Sequence, residues 1–271
     1  MGQPVMDLDA LSAELYEAWR TRTTVAPLRT RTNLDLRGAY RVAEGFVHRR
    51  LEAGETIVGK KIGVTSRPMQ EMLGVNQPDF GQLTSGMWKP DGGTMNVAAM
   101  IQPRAEAEMA FVLGADLVGP GLTAIDVLRA TEYVSPCLEI VDSRIHQWDI
   151  GIVDTVADNA SCGEFVIGTA KAHPLDVDIN LAGMVVEESK QGGPVEIVTT
   201  GAGAAVQWGP ANAVAWLANT LGELGIPFRA GEVILSGSQS VLIPAVAGST
   251  VRCTIGGLGS CSITFVAEEA A

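Results

Sequence analysis

Apolar residues recur at three- and four-residue spacing along the first part of the chain. Leu8, Leu11, Leu15 and Trp19 fall on one face of Asp7 to Arg20, and the spacing predicts a helix there. Pro27 breaks that pattern. A second helix is expected from Asn33 or Leu34 to Leu51, with Leu36, Tyr40, Ala43, Val47 and Leu51 as its stripe and Gly54 as its stop. From Thr56 the pattern becomes that of strands. Thr56 to Thr65 reads as a strand, and Ser66 as the cap of a short helix, Arg67 to Leu73, that stops at Gly74. The turn formers of Asn76-Gln77-Pro78-Asp79-Phe80-Gly81 predict a loop. A short strand is expected at Met95 to Met100 and a longer one over Pro103 to Leu113. Thr123 and Asp126 form a capping box that opens a helix to about Tyr133. Pro136 is expected to end it, ahead of a strand that holds Glu139. Asp142 to Asp158 is polar and reads as a loop or lid. Ser161 to Ile167 returns to strand, and Val185 to Val198 suits a hairpin around Gly192-Gly193. Trp208-Gly209-Pro210 opens a helix striped by Ala211, Val214, Leu217, Ala218, Leu221 and Leu224. Strands follow at Glu232 to Ser236, Thr250 to Ile255 and Ser260 to Val266.

Strands dominate from Met95 onward, so the expected class is α+β with a rolled, mixed β-sheet core. Residues 1–55 would form a helical N-terminal cap and residues 56–271 a β-rich core, integrated into one domain. The composition agrees: 46% hydrophobic and 18% charged residues in 271 describe a globular chain with a sizeable core. A net charge of −12 disfavours nucleic acid and anionic membrane as partners. No segment has the apolar length of a membrane span, and Met1 to Leu15, with Asp7, Asp9 and Glu14, lacks the apolar run of a leader. Cys137, Cys162, Cys253 and Cys261 show neither Cys-x-x-Cys nor zinc spacing, which suits reduced thiols of a cytoplasmic protein. Only His48, His146 and His173 are present, which argues against metal sites built on imidazole.

The chemistry gathers first at Glu106-Ala107-Glu108, inside an otherwise apolar strand. Alternation sends both carboxylates to one face. Two readings stand: a solvated strand face, or a pair that needs a counter-charge. A hard cation would supply that charge, with Glu139 as the candidate third carboxylate. Lys60 and Lys61 are adjacent in a strand, so only one can face a given pocket; the bland alternative is a surface pair. Asp79 is either a presented acid–base group or an ordinary turn aspartate. Asp154 to Gly163 concentrates small polar groups that could bind a substrate carboxylate or simply satisfy a turn. Gly201-Ala202-Gly203 lacks the third glycine and the βαβ setting of a dinucleotide fingerprint.

Several segments, taken in order, carry a family resemblance. They are Gly59-Lys60-Lys61-Ile62-Gly63-Val64-Thr65, Gly74 to Gly81, Glu106-Ala107-Glu108, Glu139 to Arg144, Asp154 to Gly163, and Gly231 to Ser238. Together they resemble the 2-hydroxypenta-2,4-dienoate (2-oxopent-4-enoate) hydratases, within the hydratase/decarboxylase family of the fumarylacetoacetate-hydrolase-like superfamily. The resemblance implies a rolled mixed β-fold and hydration of the dienoate to 4-hydroxy-2-oxopentanoate in meta-cleavage degradation of aromatic compounds. It implies Mg2+ or Mn2+ held by Glu106, Glu108 and Glu139. It also implies Lys61 rather than Lys60 and Asp79 as catalytic groups, and Ser161 near the substrate carboxylate. A homo-oligomer, and a complex with 4-oxalocrotonate decarboxylase, are the implied partners. That decarboxylase is itself the alternative activity, since it shares the triad and the lysine.

Overall fold

The computed structural model describes residues 7–191 and 193–267. The helices, in chain order, are α1 (Leu8–Thr21), α2 (Leu36–Glu52), α3 (Arg67–Leu73), α4 (Ala124–Ala130), α5 (Ile152–Ala157) and α6 (Pro210–Gly222). The strands are β1 (Ile57–Gly63), β2 (Asp79–Thr84), β3 (Trp88–Lys89), β4 (Gly93–Asn96), β5 (Arg104–Leu113), β6 (Thr131–Val141) and β7 (Cys162–Ile167). The remainder are β8 (Gly183–Lys190), β9 (Val195–Ala202), β10 (Val233–Leu235), β11 (Ile243–Pro244), β12 (Ser249–Ile255) and β13 (Gly259–Val266). Gly192, at the turn expected between β8 and β9, and Met1 to Met6 lie outside the described residues. Among the described residues no helix is long and apolar enough to cross a membrane.

The class is α+β, as the strand-rich pattern requires. A curled, mixed eight-stranded sheet runs β2-β1-β10-β5-β6-β7-β3, with β11 also on β5. A five-stranded sheet runs β4-β13-β12-β8-β9. Because side chains alternate, the long strand β5 serves two environments. Ala105, Ala107, Met109 and Phe111 enter the main core with Val214, Leu217 and Leu221 of α6 and with Val251 and Ile263 of the second sheet. Ala110 points the other way, into a smaller cluster with Leu83, Cys137, Cys162, Phe165 and Leu235. Glu106 and Glu108 share that inner face by the same alternation.

Local chemistry explains most element ends. Asp7, Asp35 and Ser66 accept backbone N–H bonds as the caps of α1, α2 and α3, and Gly74 closes α3 at φ 67°. Four expectations are corrected. Helix α4 stops at Ala130, and β6 begins at Thr131 and runs through Pro136. A proline fits this central strand for a readable reason. Met109, opposite it, turns its carbonyl to the Ser236 N–H (3.1 Å), and on the far side the Ser135 hydroxyl donates to Gly168 O (2.9 Å). Secondly, Asp79 is the first residue of β2 rather than a loop residue. Thirdly, the strand expected at Met95 to Met100 is β4, ending at Asn96 and followed by a 3-10 turn.

Finally, Asp142 to Asp158 is no lid. Ile145, Val156 and Ala157 pack with Leu11, Leu15, Val42 and Phe46 of the N-terminal helices. Arg144 is wholly buried over Phe46 and is ion-paired with Asp158; its guanidinium also donates to the carbonyls of Asp142 (2.7 Å) and Cys162 (2.6 Å). The polar residues that read as solvated instead satisfy one another in the interior. Their arrangement fixes the next turn, where Asn159, Ala160 and Ser161 all take left-handed φ of 52–54°. From there the Asn159 side chain reaches the free edge of β2. It accepts from Gln82 N (2.8 Å) and donates to Gln82 O (2.9 Å), as a neighbouring strand would.

Candidate active and metal centre

Strand pairing assembles the carboxylates. In the β5–β6 register Glu106 stands opposite Glu139, and Glu108, two residues on, stands opposite Cys137. All three side chains therefore project from one face, and a carboxylate oxygen from each lies within 4.8 Å of the others. Glu108 and Glu139 are 0% and 1% exposed, while Glu106 is half-buried. Glu108 Oε2 accepts the Gly237 N–H at 2.8 Å, but Glu108 Oε1 and Glu139 Oε2 have no hydrogen-bond partner.

Strands β1 and β2 bring the other two groups. Lys61 and Gly63 share a face of β1, and Asp79 on β2 pairs with Gly63. Lys61 Nζ is 3.1 Å from Glu139 Oε1. Lys60, one residue away, points to the opposite face, where Glu232 holds its ammonium at 2.7 and 2.8 Å beside the Phe228 ring. Alternation thus resolves the lysine pair: one is tied off by its own glutamate and the other meets the carboxylates. Asp79 is 2% exposed and neither of its carboxylate oxygens has a hydrogen-bond partner. Gly63 makes room for it, because a Cβ there would lie 2.3 Å from Asp79 Oδ1 and 3.6 Å from Lys61 Nζ. Gly63→Ala should therefore displace Asp79 and lower kcat/KM by about 10²-fold, with far-UV circular dichroism unchanged. Wild-type turnover by that variant would contradict the placement.

Ser161 stands at the neighbouring turn. Its hydroxyl lies 3.4 Å from Thr155 Oγ1 and 3.5 Å from Asp158 Oδ2. Cys162 is buried against the same inner face, and burial pushes its thiol up to about 12, which disfavours the thiolate. Three features had no readable signal. Tyr40 looked like one more residue of an apolar stripe, yet it stacks on Phe80 at 4.4 Å, close enough to Asp79 for the two to interact electrostatically. Gly237 is a donor by virtue of its backbone alone. Gln239 is buried with both amide atoms unpartnered, on a segment that bonds β5 at Ala107 O.

Burial dominates the electrostatics. It raises Asp79 to about 6 and Glu106 to about 7, and lifts Glu108 well above the carboxylate range; Glu139 adds repulsion in each case. Burial raises Glu139 as well, against the pull of Lys61. For Lys61 burial opposes the charge, but Glu139, Asp79 and Glu106 outweigh it and hold the ammonium charged. A carboxyl whose pKa is raised on folding binds its proton more tightly in the native chain than in the unfolded one. Its contribution is therefore present at low pH and lost as pH rises through the native value. Kept free of divalent cations, the protein should lose thermal stability between about pH 4.5 and 7, the span from the ordinary carboxylate value to that of Glu106. Melting temperatures measured in chelator across that range test this, and a flat or rising profile would contradict it.

Comparison with known proteins now adds to this geometry. The family described as Fumarylacetoacetate (FAA) hydrolase C-terminal matches residues 62–266. A 2-hydroxyhexa-2,4-dienoate hydratase of Comamonas testosteroni is 52% identical over 95% of this chain and 97% of its own length. A 2-hydroxypent-2,4-dienoate hydratase of Pseudomonas putida is 52% identical over 81% of this chain and 97% of its own. Among solved structures, 4-oxalocrotonate decarboxylase from Pseudomonas putida G7, complexed with magnesium and adipate, superposes with a TM-score of 0.91 at 33% identity. That match covers 97% of this chain and all of the decarboxylase chain.

Proposed function

Because this chain belongs to the fumarylacetoacetate hydrolase family and stands with the hydratases in it, we propose that it hydrates 2-hydroxypenta-2,4-dienoate (2-oxopent-4-enoate) to 4-hydroxy-2-oxopentanoate in meta-cleavage aromatic degradation. The observation that carries the reading is the set of three converging carboxylates with unpartnered buried oxygens, flanked by one charged lysine and one unpartnered aspartate. An all-oxygen donor set without imidazole or thiolate fits a hard divalent cation, Mg2+ or Mn2+, held by Glu106, Glu108 and Glu139. When bound, such an ion supplies Lewis acidity at the carboxylate and C2-oxygen end of the substrate.

The reaction needs the proton of the 2-hydroxyl removed, a proton delivered to C5, and then the hydroxyl of water placed at C4 and its proton at C3. Lys61, charged across the neutral range, offsets negative charge that develops at the C2 oxygen. Asp79, raised to about 6, is poised to take and return a proton near neutral pH at the distal carbons. Ser161 is the candidate for orienting the substrate carboxylate. A homo-oligomer, a complex with 4-oxalocrotonate decarboxylase and a cytoplasmic site of action belong to the same reading.

Decarboxylation of 4-oxalocrotonate is the second reading, favoured by the backbone superposition on that enzyme. One assay separates the two. Chelator-treated protein is given freshly generated 2-hydroxypentadienoate or 4-oxalocrotonate, with and without Mg2+. We expect Mg2+-dependent loss of dienoate absorbance and no CO2 release. CO2 from 4-oxalocrotonate without hydration of the dienoate would reverse the assignment.

A further inference from the structure

A cavity of about 420 Å³ touches this centre, and Asp79 is the member of the carboxylate–lysine group that lines it. The rest of its wall is unlike the centre. Leu36 and Ile152 enter from outside the sheet, as the first residues of α2 and α5. Tyr40, held against Phe80, Val75 and the segment Asn76-Gln77-Pro78 complete it. No lysine, arginine or histidine is among these lining residues. Arg29, on the Ile152 side, is bound to Asp149 and Asp154, and the start of α2 is capped by the Asp35 carboxylate, which accepts from Gly38 N at 2.7 Å. Arg37 and Arg41, the neighbours of Leu36 and Tyr40 in α2, line the adjoining cavity instead of this one.

A substrate whose acid end lies at the three glutamates and whose distal carbons reach Asp79 would send its tail into this cavity. An alkyl tail would find apolar surface on Leu36, Val75 and Ile152. A second carboxylate would lose hydration there, find no counter-charge and stand beside Asp79. We propose that Leu36 and Ile152 form the specificity wall of the enzyme, admitting 2-oxo monoacids with uncharged alkyl ends and rejecting diacids. This rests on the function proposed above, and it makes the N-terminal helix α2 part of substrate selection.

Stable 2-oxo acids provide the test: 2-oxohexanoate and 2-oxohexanedioate, titrated calorimetrically into the Mg2+-loaded protein. Wild type should bind the monoacid at least about tenfold more tightly, the equivalent of about 1.4 kcal/mol. Leu36→Arg, which supplies the missing cation, should narrow or invert that ratio by a similar factor. Leu36→Ala should raise the affinity for 2-oxooctanoate relative to 2-oxopentanoate. Ile152→Arg repeats the test from the other side if the Leu36 variant folds poorly. Equal wild-type binding of both acids, or a ratio unmoved by either arginine while the dienoate is still hydrated, would overturn the inference alone. Failure of wild type to bind any 2-oxo acid or to turn over the dienoate would overturn the functional reading beneath it.

Discussion

Lys61→Met is expected to lower kcat/KM for the dienoate by about 10²–10³-fold, the cost of losing one preorganised charge at a developing anion. It should also destabilise the protein by about 3–5 kcal/mol, because Glu139 would lose the ammonium 3.1 Å away that offsets the cost of its burial. Methionine preserves the apolar stem, so the loss reports on the charge rather than on packing. Steady-state kinetics in saturating Mg2+ and denaturant unfolding in chelator measure the two effects separately. Activity within tenfold of wild type would remove Lys61 from the chemistry. Lys60→Met provides the contrast: its partner is Glu232, on the far face of the strand, so stability should fall while kcat is retained.

Glu108→Gln should move the two quantities in opposite directions. With no cation bound, burial and the repulsion of Glu139 and Glu106 disfavour the Glu108 carboxylate, and only one of its oxygens is hydrogen-bonded. Glutamine keeps the shape and can still accept the Gly237 N–H. At pH 8 in chelator the variant should therefore be more stable than wild type, because glutamine is neutral at that buried position without having to take up a proton. The same change removes one of the three proposed ligands. Mg2+ affinity should fall by more than the about 10–100-fold that loss of a merely supporting partner costs, and turnover should fall with it. Thermal melts with and without Mg2+ read both results. A variant less stable in chelator, yet stabilised by Mg2+ as strongly as wild type, would show that these carboxylates do not hold the ion.

How much of this was legible depends on the range over which each residue acts. Caps and stripes act within a turn or two: α3, capped by Ser66 and stopped at Gly74, matches its expected bounds, α1 lies one residue further on than expected, and α2 begins at Leu36, after an Asp35 cap that its apolar stripe did not announce. The facing of Glu106 and Glu108 follows from alternation, their need for a counter-charge made Glu139 the candidate third carboxylate, and the family resemblance joined Lys61 and Asp79 to them. Lost to the sequence were effects set by distant partners. Pro136 reads as a breaker because nothing nearby announces that Ser135 and Ser236 will meet the needs around it. Asp142, Arg144 and Asp158 read as solvent-loving because their mutual burial exists only once the chain has closed on Phe46. Tyr40, Leu36 and Ile152 looked like packing residues, since the same side chain is core or cavity wall according to what is left empty opposite it.

The glycines beside the lysine pair have a consequence for how the sheet assembles. A doubled lysine leaves the charge pattern of β1 nearly degenerate. Sliding the strand one residue one way would put Lys60 among the glutamates, and sliding it the other way would put Lys61 against Glu232. Either slip would still leave one carboxylate, Glu232 or Glu139, without its lysine. Sterics adds a second penalty: a Cβ at the place of Gly59 would lie 1.9 Å from Val233 O, and one at the place of Gly63 would lie 2.3 Å from Asp79 Oδ1. Each slip brings a side chain to both places, Val58 and Ile62 in one direction and Lys60 and Val64 in the other. Two residues without side chains thus act as the alignment pins of the strand, so that only one threading of β1 delivers the correct ammonium to the centre.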